Sequence, residues 1–250
     1  MSSAIIGFGA IGQALARAFA RKNIQVAVAS THAPEAIAAQ AKATGPTVIA
    51  STLQDALKAQ FVILAVPFGF QNEVANAADW QRKIVIDATN AYGVSPDELG
   101  GLPSSAVNAQ ALVGSRLVRA FNHLPARTLA QDPDVKGGRR ITFLSSDDED
   151  AASQVAALVE QLGFAAINLG KLAEGGLLVQ ARGSTWARLI FQDLIKFDSR
   201  SRADATAINR GPHDKSRHYA QPPCAARARC CRDGAIARRP ARMLRAGLTH

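Results

Sequence analysis

Short apolar runs alternate with alanine-rich amphipathic stretches along the first 90 residues of the chain. Because strands and helices alternate in this way in βαβ units, the pattern predicts an α/β fold with a doubly wound, mostly parallel sheet. Residues 61–66 are apolar without alternation, as in a strand that helices cover on both faces. The predicted strands are 4–6, 25–29, 47–50, 61–65 and 84–87, and the predicted helices between them are 11–22, 34–43, 52–59 and 71–78.

The pattern continues less regularly beyond residue 100. Strands are predicted at 117–121, 141–145 and 165–169, and a helix at 151–162 follows three acidic residues, which favour a helix N-terminus. A glycine-rich connection at 170–176 then leads into residues 177–197. The aromatic residues Trp186, Phe191 and Phe197 of this last stretch are interpreted either as core or as a cap over one end of a ligand cleft.

The net charge of +9 belongs to the last fifth of the chain. Residues 200–250 hold 12 Lys or Arg against three Asp, whereas residues 1–199 hold 17 basic and 17 acidic side chains. All three cysteines lie in the same basic segment, so no disulfide or zinc spacing organises the rest. Because 199–250 has no sustained apolar period, we interpret it as a disordered tail or a frameshift product. A basic tail that binds nucleic acid is the less favoured alternative.

The length and apolar content of the chain bound its class. The 250 residues are 48% apolar, which is enough for one good core. No uninterrupted apolar run approaches the roughly 18 residues that a membrane span needs, and the N-terminus does not resemble a secretory signal. A cytoplasmic protein without a membrane partner is therefore expected.

Three glycines follow the first predicted strand and lead into the first helix. Gly7 permits a tight turn, Gly9 lets the backbone approach a pyrophosphate, and Gly12 lets the helix pack close to the strand. The free N–H groups at the helix N-terminus then attract phosphate. The spacing predicts a Rossmann-type dinucleotide site, and a glycine-rich turn that binds nothing is the alternative.

The second predicted strand ends in a segment without an acidic residue. An Asp or Glu in this region accepts hydrogen bonds from the ribose 2′-hydroxyl in NAD sites. Here the chain has Ser30, Thr31 and His32, whose hydroxyl and imidazole groups suit a 2′-phosphate, so the segment favours NADP over NAD. The alternative is an ordinary cap for the helix that begins near Pro34.

Two further segments lie at predicted carboxyl ends of strands, where open α/β sheets bind ligands. Ala65, Val66 and Pro67 follow the fourth strand, and residues 87–90 end the fifth. Asn90 is a candidate to orient the nicotinamide carboxamide or a substrate. Asp87 is interpreted as a turn former at the end of its strand in preference to a catalytic acid.

These segments together resemble the NADPH-dependent coenzyme F420 oxidoreductase family, and the reductase domain of the STEAP metalloreductases is similar. The resemblance covers about residues 1–198. The segments that carry it are Gly7–Gly12, Ser30-Thr31, Ala65-Val66-Pro67, Ile86-Asp87-Ala88-Thr89-Asn90, Arg119-Ala120-Phe121-Asn122 and Leu169-Gly170-Lys171-Leu172-Ala173-Glu174-Gly175.

The resemblance implies a reductase domain over 1–198, with a dinucleotide-binding core at 1–122 and an acceptor-side extension at 123–198. It implies hydride transfer from NADPH to a deazaflavin or flavin, which depends on stacking more than on acid–base groups. The cofactor-binding residues that it implies are Gly7, Phe8, Gly9, Ala10, Ile11 and Gly12 at the phosphates, Ser30 and Thr31 at the 2′-phosphate, and Ala65, Val66, Pro67, Ala88 and Asn122 around the ribose and nicotinamide.

The chain departs from the family pattern at two positions. Thr31-His32 stands where members commonly carry an arginine, which predicts weaker NADP affinity. His123 replaces a small hydroxyl residue, and an imidazole facing the nicotinamide would donate a proton or hydrogen bond to a reduced acceptor. The alternative for His123 is a structural imidazole with no part in catalysis.

We therefore expect an NADP-dependent oxidoreductase whose partner is a small-molecule redox acceptor such as F420 or a flavin. No convincing catalytic triad, metal cluster or carboxylate pair is evident in the sequence, and a homodimer is compatible with it. A non-catalytic NADP(H)-binding sensor is the alternative. A reductase of carbonyl or imine substrates is a third, less favoured interpretation.

Overall fold

The computed structural model describes residues 2–183 and 185–197. The interpretation of 199–250 as a disordered or frameshifted tail, and residue 198 at the end of the predicted domain, lie outside the described residues. Within the described residues no helix is long and apolar enough to cross a membrane.

The described residues form eight helices and twelve strands. The helices are α1 (Ala10–Arg21), α2 (Pro34–Thr44), α3 (Leu53–Ala56), α4 (Gln71–Ala75), α5 (Ser104–Ala111), α6 (Ala126–Leu129), α7 (Glu149–Gln161) and α8 (Gly175–Leu178). The strands are β1 (Ser3–Ile6), β2 (Val26–Ala29), β3 (Val48–Ala50), β4 (Phe61–Leu64), β5 (Ile84–Asp87), β6 (Arg116–Ala120), β7 (Asp134–Val135), β8 (Gly138–Ser146), β9 (Ala165–Asn168), β10 (Ala181–Arg182), β11 (Thr185–Trp186) and β12 (Ile195–Phe197).

Six parallel strands in the order β3-β2-β1-β4-β5-β6 make up most of the main sheet. The chain reverses its direction of travel across the sheet between β1 and β4, which is the switch point where such sheets bind ligands. Strand β8 then pairs antiparallel with β6, and β9 pairs parallel with β8. The predicted doubly wound, mostly parallel fold is confirmed.

Alternate residues of the central strands contribute to two different parts of the core. Ile5 and Ile63 pack with α1 and α7, whereas Val62 and Leu64 pack with the helices of the opposite face. The sheet is therefore covered on both sides, as the unbroken apolar run of β4 predicted.

The largest differences from the predicted elements lie after residue 100 and in the short helices. Helix α5 was not predicted because its sequence, SSAVNAQA, has little apolar periodicity. Helices α3 and α4 are shorter than predicted. Residues 177–197 form only the short elements α8, β10, β11 and β12, since no long apolar pattern continues there.

Candidate functional site

The glycine turn between β1 and α1 is held by contacts that leave no room for side chains. Gly7 has φ +98°, and its N–H donates to the Ala29 carbonyl at 2.8 Å. A Cβ at Gly7 would lie 2.4 Å from the Ala65 oxygen, and one at Gly12 would lie 1.9 Å from the Gly7 oxygen. These two glycines therefore allow β1, β4 and α1 to approach closely.

Gly9 differs from the other two glycines of the turn. It stands at the N-cap of α1, where no side chain caps the helix, and a Cβ built on it would meet no atom within 4 Å. The open side of Gly9 faces a cavity, and the uncapped N-terminus of α1 makes this edge attractive to an anion. The turn thus has the shape and polarity that a dinucleotide phosphate requires.

Two cavities meet at the loop after β4. The first encloses about 350 Å³ and the second about 550 Å³, and both are lined by Ala65, Val66 and Pro67. The two therefore form one cleft along the carboxyl ends of the parallel strands, at the switch point of the sheet. The residues that line only the first cavity are Ile6, Gly7, Gly9, Ser30, Thr31, Leu53, Phe70, Glu73 and Val74.

The segment after β2 contributes Ser30 and Thr31 to the first cavity, whereas His32 lies outside its lining. The Ser30 hydroxyl accepts a hydrogen bond from the His32 N–H at 3.1 Å, so it turns the backbone locally. It does not cap α2, which begins at Pro34 and has no side-chain cap. The only acidic side chain of this lining is Glu73, which is on α4 and exposed.

The remaining predicted residues of the glycine turn lie elsewhere. Phe8 is buried in the core, and Ala10 is exposed at the start of α1. Gly12 is buried in the first turn of the same helix, on the side that packs against β1. Ile11 lines the second cavity. Of these four residues only Ile11 thus lines the cleft, and Phe8 and Ala10 line neither of the two cavities.

The second cavity collects the predicted residues from the other strand ends. It contains Ala88, Asn90 and Asn122. Six of its residues were not predicted as binding residues, although Phe191 was a candidate cap over the cleft, and a resemblance limited to strand-end motifs gave no signal for most of them. The residues that line only the second cavity are Ile11, Ala88, Thr89, Asn90, Tyr92, Asn122, Leu124, Pro125, Ala126 and Phe191.

Two non-glycine residues beside the second cavity have positive φ angles. Phe121, fully buried after β6, has φ +62° and directly precedes Asn122. Phe191 has φ +59°, and its N–H donates to the His123 carbonyl at 2.7 Å. Backbone strain of this kind persists where the surrounding structure enforces it, which is common at ligand sites.

The aromatic residues of the C-terminal stretch divide between the two interpretations. Phe191 lines the second cavity and lies 5.3 Å from Trp186 between ring centroids, and Trp186 lies 6.5 Å from Tyr92. Trp186 and Phe197 are both more than half exposed, so the core interpretation is wrong for them. Phe191, Trp186 and Tyr92 form an aromatic group at the mouth of the second cavity, whereas Phe197 is on the edge strand β12.

A buried polar network lies behind the second cavity. Asp87, at the end of β5, accepts hydrogen bonds from the Thr89 N–H at 2.9 Å and the Thr89 hydroxyl at 2.7 Å. Its other oxygen accepts from Ser105 and lies 3.8 Å from Arg119 Nη1. Asp87 and Arg119 are both almost completely inaccessible to solvent. We call Asp87, Thr89, Ser104, Ser105 and Arg119 the Asp87–Arg119 network.

This network explains why Asp87 is neither a turn former alone nor placed to act on a ligand. Its carboxylate is enclosed by Thr89, Ser105 and Arg119 and does not line either cavity. Burial lowers the pKa of Arg119, and the neighbouring Asp87 charge opposes that effect. Sequence reasoning missed the role of Arg119 and the two serines, because the serines come from the unpredicted helix α5.

Among the described residues that line the second cavity, Tyr92 is the one with a titratable side chain. Partial burial raises the pKa of its phenol, although an interaction with Asn90 lowers that pKa by a smaller amount. The hydroxyl is therefore protonated near neutral pH and can donate a hydrogen bond. In the described residues no group of three or more His, Cys, Asp and Glu could hold a metal ion.

His123 does not face the cleft, contrary to the expectation for a catalytic imidazole. Its side chain is fully buried, is absent from the lining of both cavities, and packs at 4.9 Å edge-on to Phe143. Burial lowers the pKa of His123 to about 4, with the Ile141 backbone and Asp193 opposing the shift. The position therefore favours the structural alternative for His123.

The buried His123 predicts a pH-dependent stability. Its pKa is about 4 in the folded chain and 6.5 when unfolded, so the unfolded chain gains a proton first as the pH falls. Stability is then highest above pH 6.5 and decreases toward pH 4. Between pH 7 and pH 5 this linkage amounts to about 2 kcal/mol. Urea unfolding of wild type and His123→Phe at both pH values measures it, and an equal pH dependence in the two proteins would contradict it.

Comparisons with known proteins add the following. Residues 2–91 match the family model described as NADP oxidoreductase, coenzyme F420-dependent. A hypothetical protein from Sinorhizobium meliloti is 40% identical at a TM-score of 0.73, and the match covers 78% of this chain and 96% of that one. No curated protein sequence matches the chain.

More distant solved structures share the fold. A proposed F420-dependent NADP reductase from Arthrobacter sp. FB24 is 23% identical at a TM-score of 0.57, covering 69% of this chain and 86% of that one. Glycerol-3-phosphate dehydrogenase from Coxiella burnetii is 19% identical at a TM-score of 0.53, covering 67% and 53%. At these identities the likeness concerns the Rossmann-type architecture alone.

Proposed function

Because the chain belongs to the NADP oxidoreductase, coenzyme F420-dependent, family, we propose that it transfers a hydride between NADP(H) and a flavin, a deazaflavin or a related small acceptor. NADP(H) supplies or receives the hydride when it is bound. The observation that carries the proposal is the pair of adjoining cavities that share Ala65, Val66 and Pro67.

The linings of the two cavities support a division of the cofactor between them. The first cavity joins the hydroxyls of Ser30 and Thr31 to apolar side chains such as Leu53 and Val74, which suits a phosphorylated adenosine. The second joins the amides of Asn90 and Asn122 to apolar surface, which suits the nicotinamide half. Gly9 and the N-terminus of α1 lie at the edge of this cleft, as a pyrophosphate between the halves requires.

The chemistry of the second cavity favours an acceptor that needs little proton transfer. Apart from the Tyr92 phenol, its lining has no group that ionises. A hydride moves between stacked rings through their orientation, and the chain's contribution is to orient the rings and exclude water. At the mouth of the cavity, the aromatic group of Tyr92, Trp186 and Phe191 offers surfaces on which a planar acceptor can stack.

An acceptor screen tests the proposal directly. Purified protein is mixed with NADPH and one acceptor at a time, which is oxidised F420, FMN or FAD. The loss of NADPH absorbance is then followed. We expect turnover with at least one of the three. Tight NADPH binding with no turnover on any acceptor would instead identify a nucleotide-binding sensor. Turnover only with carbonyl or imine substrates would contradict the proposed acceptor class.

The Ser30 position predicts the choice between NADPH and NADH. Ser30→Asp places a carboxylate in the first cavity, where it repels a 2′-phosphate and accepts from a 2′-hydroxyl. We expect the ratio of kcat/KM for NADPH to that for NADH to fall about tenfold or more, equivalent to about 1.4 kcal/mol. Gln25→Asp, at a surface position before β2, is the matched control. An unchanged ratio in Ser30→Asp would place the 2′-phosphate elsewhere.

A further inference from the structure

We propose that Arg119 is a positioning residue, which holds the side-chain amide of Asn90 toward the Tyr92 phenol, so that this pair donates one hydrogen bond into the second cavity. The expected acceptor is an oxygen atom of the nicotinamide half of NADP(H). The inference rests on the proposed function, because it takes the second cavity as the place of that half.

Asn90 has three donors around its side-chain oxygen. Oδ1 lies 3.3 Å from Arg119 Nη2, 3.1 Å from Asn122 Nδ2 and 3.4 Å from the Ala181 backbone nitrogen. On the other side, Asn90 Nδ2 donates to the Asn122 carbonyl at 2.7 Å. The amide of Asn90 is thus bonded to groups from β6, from the segment after it and from β10.

The chemistry of these partners fixes which way the Asn90 amide faces. A guanidinium and a backbone N–H only donate, and a backbone carbonyl only accepts. If the amide rotated by 180°, its NH₂ group would meet Arg119 and Ala181, and its oxygen would meet the Asn122 carbonyl. All three contacts would become repulsive, so the observed orientation is strongly preferred.

This orientation leaves one hydrogen of the Asn90–Tyr92 pair for the cavity. The Asn90 oxygen is already shared by three donors, and one of the two Nδ2 hydrogens is used by the Asn122 carbonyl. The other Nδ2 hydrogen faces the Tyr92 oxygen, since the interaction with Asn90 lowers the pKa of the phenol, and the Tyr92 O–H is left to donate into the cavity that both residues line. The cavity therefore presents a donor at this point, and a ligand must supply an oxygen or another acceptor.

Arg119 makes a set of contacts that a single lysine could not make together. Its Nη1 donates to Ser104 Oγ at 2.9 Å and to Ser105, and the same nitrogen faces Asp87 at 3.8 Å. Its Nη2 reaches Asn90. The planar guanidinium thus connects the buried charge of Asp87 to the lining of the cleft, whereas an ammonium has one nitrogen for both tasks.

The test compares two ligands on the full-length chain. NADPH occupies both cavities, whereas adenosine 2′,5′-bisphosphate has no nicotinamide half and reports on the first cavity alone. For Arg119→Met we expect the Kd of NADPH to rise about tenfold, as for one lost hydrogen bond, and the Kd of the bisphosphate to stay within about twofold. The matched control is Arg116→Met on the same strand, because Arg116 pairs with Asp148 and Asp150 away from Asn90.

A double variant separates positioning from a general loss of structure. Asn90→Ala should raise the Kd of NADPH to a similar extent, and adding Arg119→Met to it should raise that Kd by less than about twofold more. Independent, multiplying effects would overturn the proposal, as would an unchanged Kd of NADPH in Asn90→Ala. If circular dichroism shows Arg119→Met to be unfolded, Arg119→Lys keeps the charge opposite Asp87 and takes its place.

Failure of the inference can be told apart from failure of the proposed function. If wild type binds NADPH but Arg119 variants weaken both ligands equally, Arg119 supports the fold only and the inference is overturned. If wild type binds the bisphosphate and NADPH yet reduces no acceptor, the proposed reaction is wrong while the positioning role can still hold. The test of Arg119 uses binding alone, so its result does not depend on the acceptor.

Discussion

Gly9→Val is expected to weaken NADPH binding by at least about 100-fold, or about 2.7 kcal/mol, while the chain still folds. A Cβ at this position meets no protein atom within 4 Å, so the native structure can accept the valine. The side chain would instead project into the first cavity, beside the uncapped N-terminus of α1 where we place the pyrophosphate. Isothermal titration with NADPH, together with the thermal midpoint of unfolding, measures both parts of the result.

Gly12→Ala provides the matched control in the same turn. Its Cβ would lie 1.9 Å from the Gly7 oxygen, so α1 must move away from β1 and stability should fall by about 1–3 kcal/mol or more. Gly9→Val should therefore weaken NADPH binding and leave the stability of the fold unchanged. Gly12→Ala should instead lower the stability of the fold first. Normal NADPH affinity in a folded Gly9→Val protein would refute the placement of the phosphates at this turn.

Asp87→Ala is expected to destabilise the chain by about 3–5 kcal/mol, because it leaves the Arg119 guanidinium buried without its partner. Both side chains are almost completely buried, and Asp87 also accepts hydrogen bonds from Thr89 and Ser105. Urea unfolding at pH 7 measures the loss. The effect is among the largest that one substitution can produce in a domain of this size.

Two further variants check the reason for that loss. In Asp87→Asn with Arg119→Met, both charges are removed and the shapes are largely kept, so stability should recover by a few kcal/mol relative to Asp87→Ala. Asp55→Ala breaks the exposed pair with Lys58 and should cost at most about 1 kcal/mol. Equal losses in Asp87→Ala and the double variant would show that packing, not the buried charge, accounts for the result.

Much of the first half of the fold follows from local sequence patterns. The strand that contains Ile63 could be predicted as covered on both faces because it is apolar without alternation, and the structure packs helices on both sides of it. The turn from Gly7 to Gly12 could be predicted because its glycine spacing is required by steric contacts between residues a few positions apart in the chain. Patterns of this length carry their own physical constraints.

The candidate site could be predicted only in part. Ser30, Asn90 and Asn122 were expected at strand ends, and parallel strands do bring their carboxyl ends to one edge. Tyr92 was not expected as a binding residue, and Phe191 was left open between core and a cap over the cleft, since loops place both residues there. In the sequence, Arg119 is simply one polar residue in a predicted strand. Its burial against Asp87 depends on helix α5, which was not predicted.

His123 shows the limit most clearly. The family resemblance offered His123 as a group that faces the nicotinamide, because it replaces a small hydroxyl residue after Asn122, and a structural imidazole was the alternative. In the structure the imidazole packs edge-on against Phe143 in the core instead, while the neighbouring Asn122 lines the second cavity. Which of two adjacent side chains faces the cleft depends on the backbone and its packing, and composition holds no information on it.

The sequence by itself thus determined the doubly wound sheet, the glycine turn and the acid-free end of β2, since each depends on spacing along the chain. Only the tertiary structure decided which side chains share the cleft. It joined Ser30 and Thr31 in one cavity with Glu73, placed Tyr92 and Phe191 in the other, and enclosed Asp87 with Arg119. The reason is that burial and hydrogen-bond partnership arise between residues far apart in sequence, where local patterns specify nothing.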